Sequence, residues 1–180
     1  GTEKGGGTTR AGDGNFLMVN AHLGHDVQMA NTCILANNVM VAGHVTIEDR
    51  AYLAGAAAVH QFTRGGKLAM VGGRAKIKQD VPPFVMIDGS LAAEVVGLNK
   101  VGLRRNGYSP GQVLELKEAY RVIYRDGLRW NEVLEKLKNE FQTGPAAAFY
   151  DFLKSGKRGF IQERRISRRA TLKIVKPAED

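Results

Sequence analysis

A chain of 180 residues with 43% hydrophobic residues has room for one or two domains and enough apolar material for a packed core. No run approaches 18 consecutive apolar residues, which excludes a membrane-spanning helix, and no signal-peptide pattern opens the chain. The net charge of +8 suits an anionic partner (nucleic acid, membrane surface, acidic protein or nucleotide), and a solvated basic tail would give the same balance.

Residues 1–10 are glycine-rich around Gly5-Gly6-Gly7 and read as a loop or an incoming coil. From Ala11 onward every sixth residue is apolar or small: Ala11, Leu17, Leu23, Met29, Leu35, Val41, Ile47, Leu53, Val59, Gly65, Val71, Ile77. Only Gly65 breaks the run outright. Four residues after each comes a small or β-branched residue, as at Ala21, Val27, Cys33, Val39, Val45 and Ala57. No helix or ordinary strand has a six-residue period. A chain that turns a corner every six residues does, with three flat strands per coil, one apolar side chain per strand pointing inward, and a small residue at each tight corner. The pattern therefore predicts a β-solenoid, a parallel β-helix of hexapeptide repeats with four coils of three hexads each over residues 11–82. At ~4.8 Å per stacked strand the coils would stand roughly 19 Å tall.

The single cysteine, Cys33, falls on a small inward position and reads as a buried structural thiol, since no base or cation adjoins it in sequence. One cysteine forms no internal disulfide, which fits a reducing cytoplasm.

Pro82-Pro83 ends the regular period, because proline removes a ladder donor. The solenoid is thus assigned to residues 1–83. Residues 84–109 read as a connecting loop or strand segment punctuated by Gly89, Gly97, Gly102 and Gly107. Ser109-Pro110 is an N-cap followed by a proline at the first helical position, opening a helix to about Arg125 that Asp126-Gly127 stops. Asn131 to Phe141 is a second amphipathic helix; Gly144-Pro145 breaks the chain again, and Ala146–Lys154 makes a third. These helices form a small C-terminal α-helical cap over residues 110–156. The tail 157–180 holds eight Lys/Arg against three acidic residues and is expected to be partly disordered at its end. A cap of this size is small for independent stability, and a coil has an open end and three flat faces. Oligomerisation relieves both, with a trimer as the natural closure of a triangular prism.

The four histidines, His22, His25, His44 and His60, all lie in the coils and off the inward apolar positions. Stacking translates each residue onto its equivalent three hexads later, so Asp26 lies beneath His44, His25 beneath Gly43, and His60 above Ala42. Three readings compete for this corner. The histidines could be solvated or interfacial; His22, His25 and His44 could ligate zinc; or His25 beside Asp26 could act as a general base toward a hydroxyl. No Ser or Cys nucleophile is placed beside a histidine, so a covalent intermediate is not suggested.

The strings Asn20-Ala21-His22-Leu23-Gly24-His25-Asp26, Cys33-Ile34-Leu35-Ala36-Asn37-Asn38, Ala42-Gly43-His44-Val45 and Val59-His60-Gln61-Phe62 resemble one family, the UDP-N-acetylglucosamine O-acyltransferases of lipid A synthesis. Further matches are Met70-Val71-Gly72-Gly73, Gln79-Asp80-Val81-Pro82-Pro83, Gly102-Leu103-Arg104-Arg105-Asn106-Gly107-Tyr108-Ser109 and, in the cap, Ala119 to Arg125. The likeness runs from residue 1 to about Ile161, and the family begins several coils earlier. It implies a left-handed β-helix, an exception to the right-handed crossover rule, assembled as a cytoplasmic homotrimer with sites between subunits. It implies that His25, oriented by Asp26, takes a proton from the 3-hydroxyl of UDP-N-acetylglucosamine, which attacks the thioester of a 3-hydroxyacyl acyl carrier protein. The Gly43 N–H would stabilise the oxyanion. His22, His44, His60 and Gln61 match positions lining substrate or acyl chain; Gly73 matches the position limiting acyl length; Asn99 and Arg105 match positions contacting the nucleotide sugar. No metal, other cofactor or nucleic acid is implied, and the acidic carrier protein suits the basic cap and tail. Val101 stands where some members carry an acidic residue, and Leu91 where the family carries a histidine. A metal-dependent hydratase on the same fold and the related N-acyltransferase that uses a 3-amino sugar remain the alternatives. The acyl length is not given by the sequence.

Overall fold

The computed structural model describes residues 1–89 and 92–164; Leu91 and most of the basic tail lie outside them. After a short 3-10 turn at Glu3–Gly5 the chain winds into two-residue strands on three faces. The first face stacks β1 (Arg10–Ala11), β4 (Gln28–Met29), β7 (Thr46–Ile47) and β10 (Arg64–Gly65). The second stacks β2 (Phe16–Leu17), β5 (Ile34–Leu35), β8 (Tyr52–Leu53) and β11 (Met70–Val71); the third stacks β3 (His22–Leu23), β6 (Met40–Val41), β9 (Ala58–Val59) and β12 (Lys76–Ile77). Every pairing among these strands is parallel and joins residues one full coil apart, as in Phe16 with Ile34 and Ile34 with Tyr52. This is a left-handed parallel β-helix: the hexads predict the parallel coils, and the resemblance implies their hand.

The second residue of each pair turns inward: Leu35 and Val41 are 0% exposed, Ile47 2% and Leu53 3%. Val27, Cys33, Val39, Val45, Ala57 and Ala75 fill the corners and are fully buried. Burial pushes the Cys33 thiol up, and its Sγ–H reaches the Glu48 carbonyl at 3.2 Å, so the thiol is structural. The hexads did not reveal the backbone of the corners. From Asn20 to Arg74 every sixth residue has φ between +55° and +63°, although none is glycine. Such residues cost roughly 1–2 kcal/mol each against ordinary geometry, less for Asn and Asp. The surrounding ladder and core hold them there.

At Pro82-Pro83 the register shortens: Met70 pairs with Met86, closer in sequence than a full coil. The next segment carries more regular structure than its glycines suggest. Strand β13 (Val85–Ile87) continues the second face and β14 (Val95–Leu98) folds back antiparallel to it. A short helix, α1 (Lys100–Arg105), follows, capped by the Asn99 side chain on Gly102 N at 2.9 Å. Phe84, 1% exposed, plugs the end of the solenoid and packs edge-on against Tyr108 and Phe149.

Helices α2 (Pro110–Tyr124), α3 (Trp130–Glu140) and α4 (Ala147–Lys154) fall within a residue or so of the expected spans. Ser109 and Gln112 form a capping box on α2, and Gly127, at φ +68°, lies just past its end.

Residues 155–164 are not a loose tail. They run back as a strap: Asp80 N donates to Gly159 O, Ile161 N to Asp80 O, Val95 N to Gln162 O and Arg164 N to Val95 O, at 2.9–3.0 Å. Glu163 accepts from Tyr120 Oη at 2.7 Å and pairs with Arg125 at 2.6 Å. Arg64 joins solenoid and cap, bonding Asp80 at 2.8 Å and the Phe152 carbonyl at 2.8 Å while lying 4.1 Å over the Phe152 ring. Among the described residues no helix is long and apolar enough to cross a membrane.

Gly65 occupies an inward position, and a Cβ built there meets no atom within 4 Å. Its φ lies outside the left-handed region. Gly65→Ala is therefore expected to stabilise the chain by about 0.5–1 kcal/mol through a less flexible unfolded chain, read as a higher midpoint in thermal denaturation.

Candidate active site

The corner between the third and first faces recurs once per coil, and on successive coils it presents His25-Asp26, Gly43-His44 and Gln61-Phe62. Asp26 is 4% exposed; its side-chain Oδ2 lies 2.9 Å from His25 Nδ1 and 3.8 Å from His44 Nε2. Thr2 holds the carboxylate from the other side: its N approaches both oxygens at 2.9–3.0 Å and its Oγ1 donates to Oδ2 at 2.9 Å. Thr9 Oγ1 accepts from the Asp26 backbone N–H at 2.9 Å. The His25 hydrogen bond, with those from Thr2, outweighs burial and pushes the Asp26 carboxyl down to about 2. An ionised acceptor at Nδ1 fixes the proton on that nitrogen and leaves Nε2 as the lone-pair atom of the His25 ring.

The His25 ring lies against Gly43. A Cβ at Gly43 would sit 2.5 Å from Nε2 and Cε1, so only glycine leaves room for the imidazole. His44 stands edge-on to His25, centroids 5.0 Å apart at 86°, and stacks on Phe62 at 4.6 Å and 11°. Gly43 also offers a free donor. At three equivalent corner positions the backbone N–H, that of Asp13, Asn31 and Lys67, donates to a side-chain oxygen on a neighbouring coil, at 2.8–2.9 Å; at others, such as Asn37, Gly55 and Gln61, it has no acceptor among the described residues. The Gly43 N–H is buried and has no acceptor among the described residues. A buried unpaired donor beside a polarised imidazole is a preorganised place for a developing negative charge.

His25, Asp26 and His44 also place three donor atoms within 4.8 Å of one another, a set that could hold a metal ion; His22, expected in the zinc reading, is not part of it. Both Asp26 oxygens already accept from Thr2, and Oδ2 lies at bonding distance from His25 Nδ1, so a cation there would compete with those bonds.

The other sequence-derived residues fall in four places. His60 and Gln61 share the corner one coil above Gly43; His60 Nδ1 lies 3.1 Å from the Gln61 carbonyl and 3.5 Å from Arg158 Nη2. His22 is exposed on the outer side of β3. Gly73 lies on a different edge, between the second and third faces, with a would-be Cβ 3.3 Å from the Gly55 carbonyl. Asn99 and Arg105 line a cleft of about 1070 Å³ over the second face, floored by Ile34, Tyr52 and Met70 and walled by α1 and α2. The Asn99 amide is largely committed to structure, since Nδ2 donates to the Leu68 carbonyl at 2.9 Å while Oδ1 caps α1. The histidine ridge is convex within one chain, with half of the His25 side chain exposed. Sequence reasoning missed Thr2, Thr9 and Phe62. Phe62 was within reach, since it is the equivalent of His44 on the next coil; Thr2 lies ahead of the regular repeat and carried no signal.

A parallel β-helix of hexads places the chain among the hexapeptide-repeat proteins as a class. Residues 80–161 match the family model described as Udp N-acetylglucosamine O-acyltransferase, domain 2. The acyl-[acyl-carrier-protein]–UDP-N-acetylglucosamine O-acyltransferase of Anaeromyxobacter dehalogenans is 41% identical over 163 residues, covering 90% of this chain and 63% of that protein. Two solved structures are also similar. The UDP-N-acetylglucosamine O-acyltransferase of Moraxella catarrhalis is 40% identical with a TM-score of 0.85, covering 90% of this chain and 63% of that one. The acyltransferase of Francisella novicida is 36% identical with a TM-score of 0.86, covering 91% and 60%. The chain belongs to the UDP-N-acetylglucosamine O-acyltransferase family, and it spans less than two thirds of the length of these relatives.

A carboxyl depressed by folding stabilises the native state above its unfolded value, 3.8, and loses that contribution as pH falls toward about 2. Asp26→Asn is expected to flatten the dependence of the thermal midpoint on pH between 4 and 2, measured against the unsubstituted chain.

Proposed function

We propose that this chain carries the acceptor-activating machinery of an acyltransferase that moves a 3-hydroxyacyl group from acyl carrier protein to the 3-position of UDP-N-acetylglucosamine. One observation carries the reading: an imidazole with Nδ1 held by an ionised, buried Asp26 lies against Gly43, whose N–H has no acceptor among the described residues. The relatives' names supply the two substrates.

In this reading His25 Nε2 takes the proton of the sugar 3-hydroxyl as its oxygen attacks the thioester carbonyl carbon. The new C–O bond leaves negative charge on the former carbonyl oxygen, to which the Gly43 N–H donates a hydrogen bond; such a donor contributes about 3–4 kcal/mol. Collapse breaks the C–S bond, and the imidazolium returns its proton to the departing thiolate. Asp26 stays ionised throughout and steadies the imidazolium. No covalent enzyme intermediate, metal or other cofactor enters these steps. His22, His44, His60 and Gln61 line the path of donor and acyl chain, Asn99 and Arg105 meet the nucleotide, and Gly73 limits chain length.

These groups occupy separate edges of one prism, and the base stands on a convex corner. A homotrimer that sets the second face of one copy against the histidine ridge of the next would supply the missing wall and bring the groups together. The setting is the cytoplasm, where carrier-protein thioesters and nucleotide sugars meet.

His25→Ala is expected to leave folding and assembly intact and to lower kcat by about 10²–10⁴-fold, measured with acyl carrier protein as donor; a variant keeping most of its activity refutes the role. Gly43→Ala keeps the N–H but pushes the imidazole aside, with an expected loss of about a hundredfold. The trimer is checked by light scattering of the purified chain, where a monomeric mass contradicts it.

A further inference from the structure

The last coil of the third face carries charge that neither the proposed chemistry nor the fold uses. Arg74, Lys76 and Lys78 alternate with Ala75 and Ile77, which are 0% and 1% exposed, so the three cations stand outward in one row across the face. The strap adds Lys157 and Arg158, both exposed, with Arg158 held beside His60. Among the described residues none of these five cations forms an ion pair. Asp80, the buried carboxylate of that coil, is already taken by Arg64.

The row is aligned with the candidate site. Lys76 pairs with Ala58, Ala58 with Met40 and Met40 with His22 down the third face. At the adjoining corner Lys78 lies one coil beyond His60. Three strand spacings separate its level from that of His25, roughly 14 Å. A donor whose thioester sits at the end of a long flexible arm has to seat its protein body at such a distance. A body placed over His25 itself would shut out the sugar.

We propose that the row Arg74, Lys76 and Lys78, extended by Lys157 and Arg158, is the docking surface for the acidic carrier protein that presents the acyl thioester; this rests on the activity proposed above. Opposite charge there speeds capture and sets the orientation in which the arm points down the ridge. The shape favours a compact acidic protein over a nucleic acid. The cations are confined to one coil, and the rows below carry Ala58, Met40 and His22, where a polyanion would need further phosphate contacts along a track.

The test is the double variant Lys76→Glu/Lys78→Glu of the whole chain, with circular dichroism and thermal melting to confirm that it folds. Binding of acyl carrier protein, followed by fluorescence anisotropy, is expected to weaken about tenfold or more at low salt, the sum of two lost surface pairs and their replacement by repulsion. The charge-conserving Lys76→Arg/Lys78→Arg variant should bind as the unsubstituted chain does, and kcat at saturating donor should be unchanged in both. Unchanged carrier-protein affinity in the glutamate variant overturns the docking surface, as does tighter binding of an RNA oligonucleotide than of carrier protein by the unsubstituted chain. The two readings fail separately. A chain that binds carrier protein through these lysines yet transfers no acyl group contradicts the activity and keeps the surface. Transfer with a carrier-protein KM indifferent to the glutamate variant does the reverse.

Discussion

The coil-to-coil hydrogen-bond register between stacked strands is the constraint on which everything else depends. Each coil strand is only two residues long, too short to be stable alone, and each corner from Asn20 to Arg74 forces a non-glycine residue into the left-handed region. What holds them is repetition. Every coil gives the next a ready template of N–H and C=O groups and an inward ledge such as Leu35 or Leu53 on which to stack. Stability in such a solenoid is a sum of neighbour terms. The first coil, whose Leu17 is 42% exposed, and the last, plugged by Phe84, therefore have different surroundings from the middle coils.

The same register builds the candidate site. His25, Gly43 and Gln61 stand one above another because each is the outward residue of the same corner on successive coils. Among the described residues, side-chain oxygens satisfy the backbone N–H of this corner position at Asp13, Asn31 and Lys67, while that of Gly43, like those of Asn37 and Gln61, has no acceptor. The glycine there gives the His25 ring space that any Cβ would take. The left-handed corner residue does the rest at Asp26, turning its carboxylate back toward Thr2 and His25.

The helical cap shares one apolar core with this prism, where Phe84 meets Tyr108 and Phe149, and polar anchors join the two as well. Arg64 links Asp80 on the solenoid with the Phe152 carbonyl, and the strap adds backbone hydrogen bonds to Asp80 and Val95. Anchors of this kind are directional, so they fix the cap in one orientation and hold Arg158 beside His60.

The sequence by itself determined the β-helix, because a six-residue apolar period with small corner residues admits no helix or flat sheet. It also determined which residues stack, since three hexads close one coil, and so placed Asp26 under His44 and His25 under Gly43. Helix α2 was legible from Ser109-Pro110 and Gly127, which act locally. Tertiary structure alone decided the left-handed corners at residues such as Thr32 and Phe62, where neighbours override the residue's own preference. It alone decided the hairpin of β13 and β14, the strap over 155–164, and the hold of Thr2 on Asp26. Those contacts join segments with no shared period, and their partners are chosen by the surface the solenoid presents once it has formed, which a local pattern does not encode.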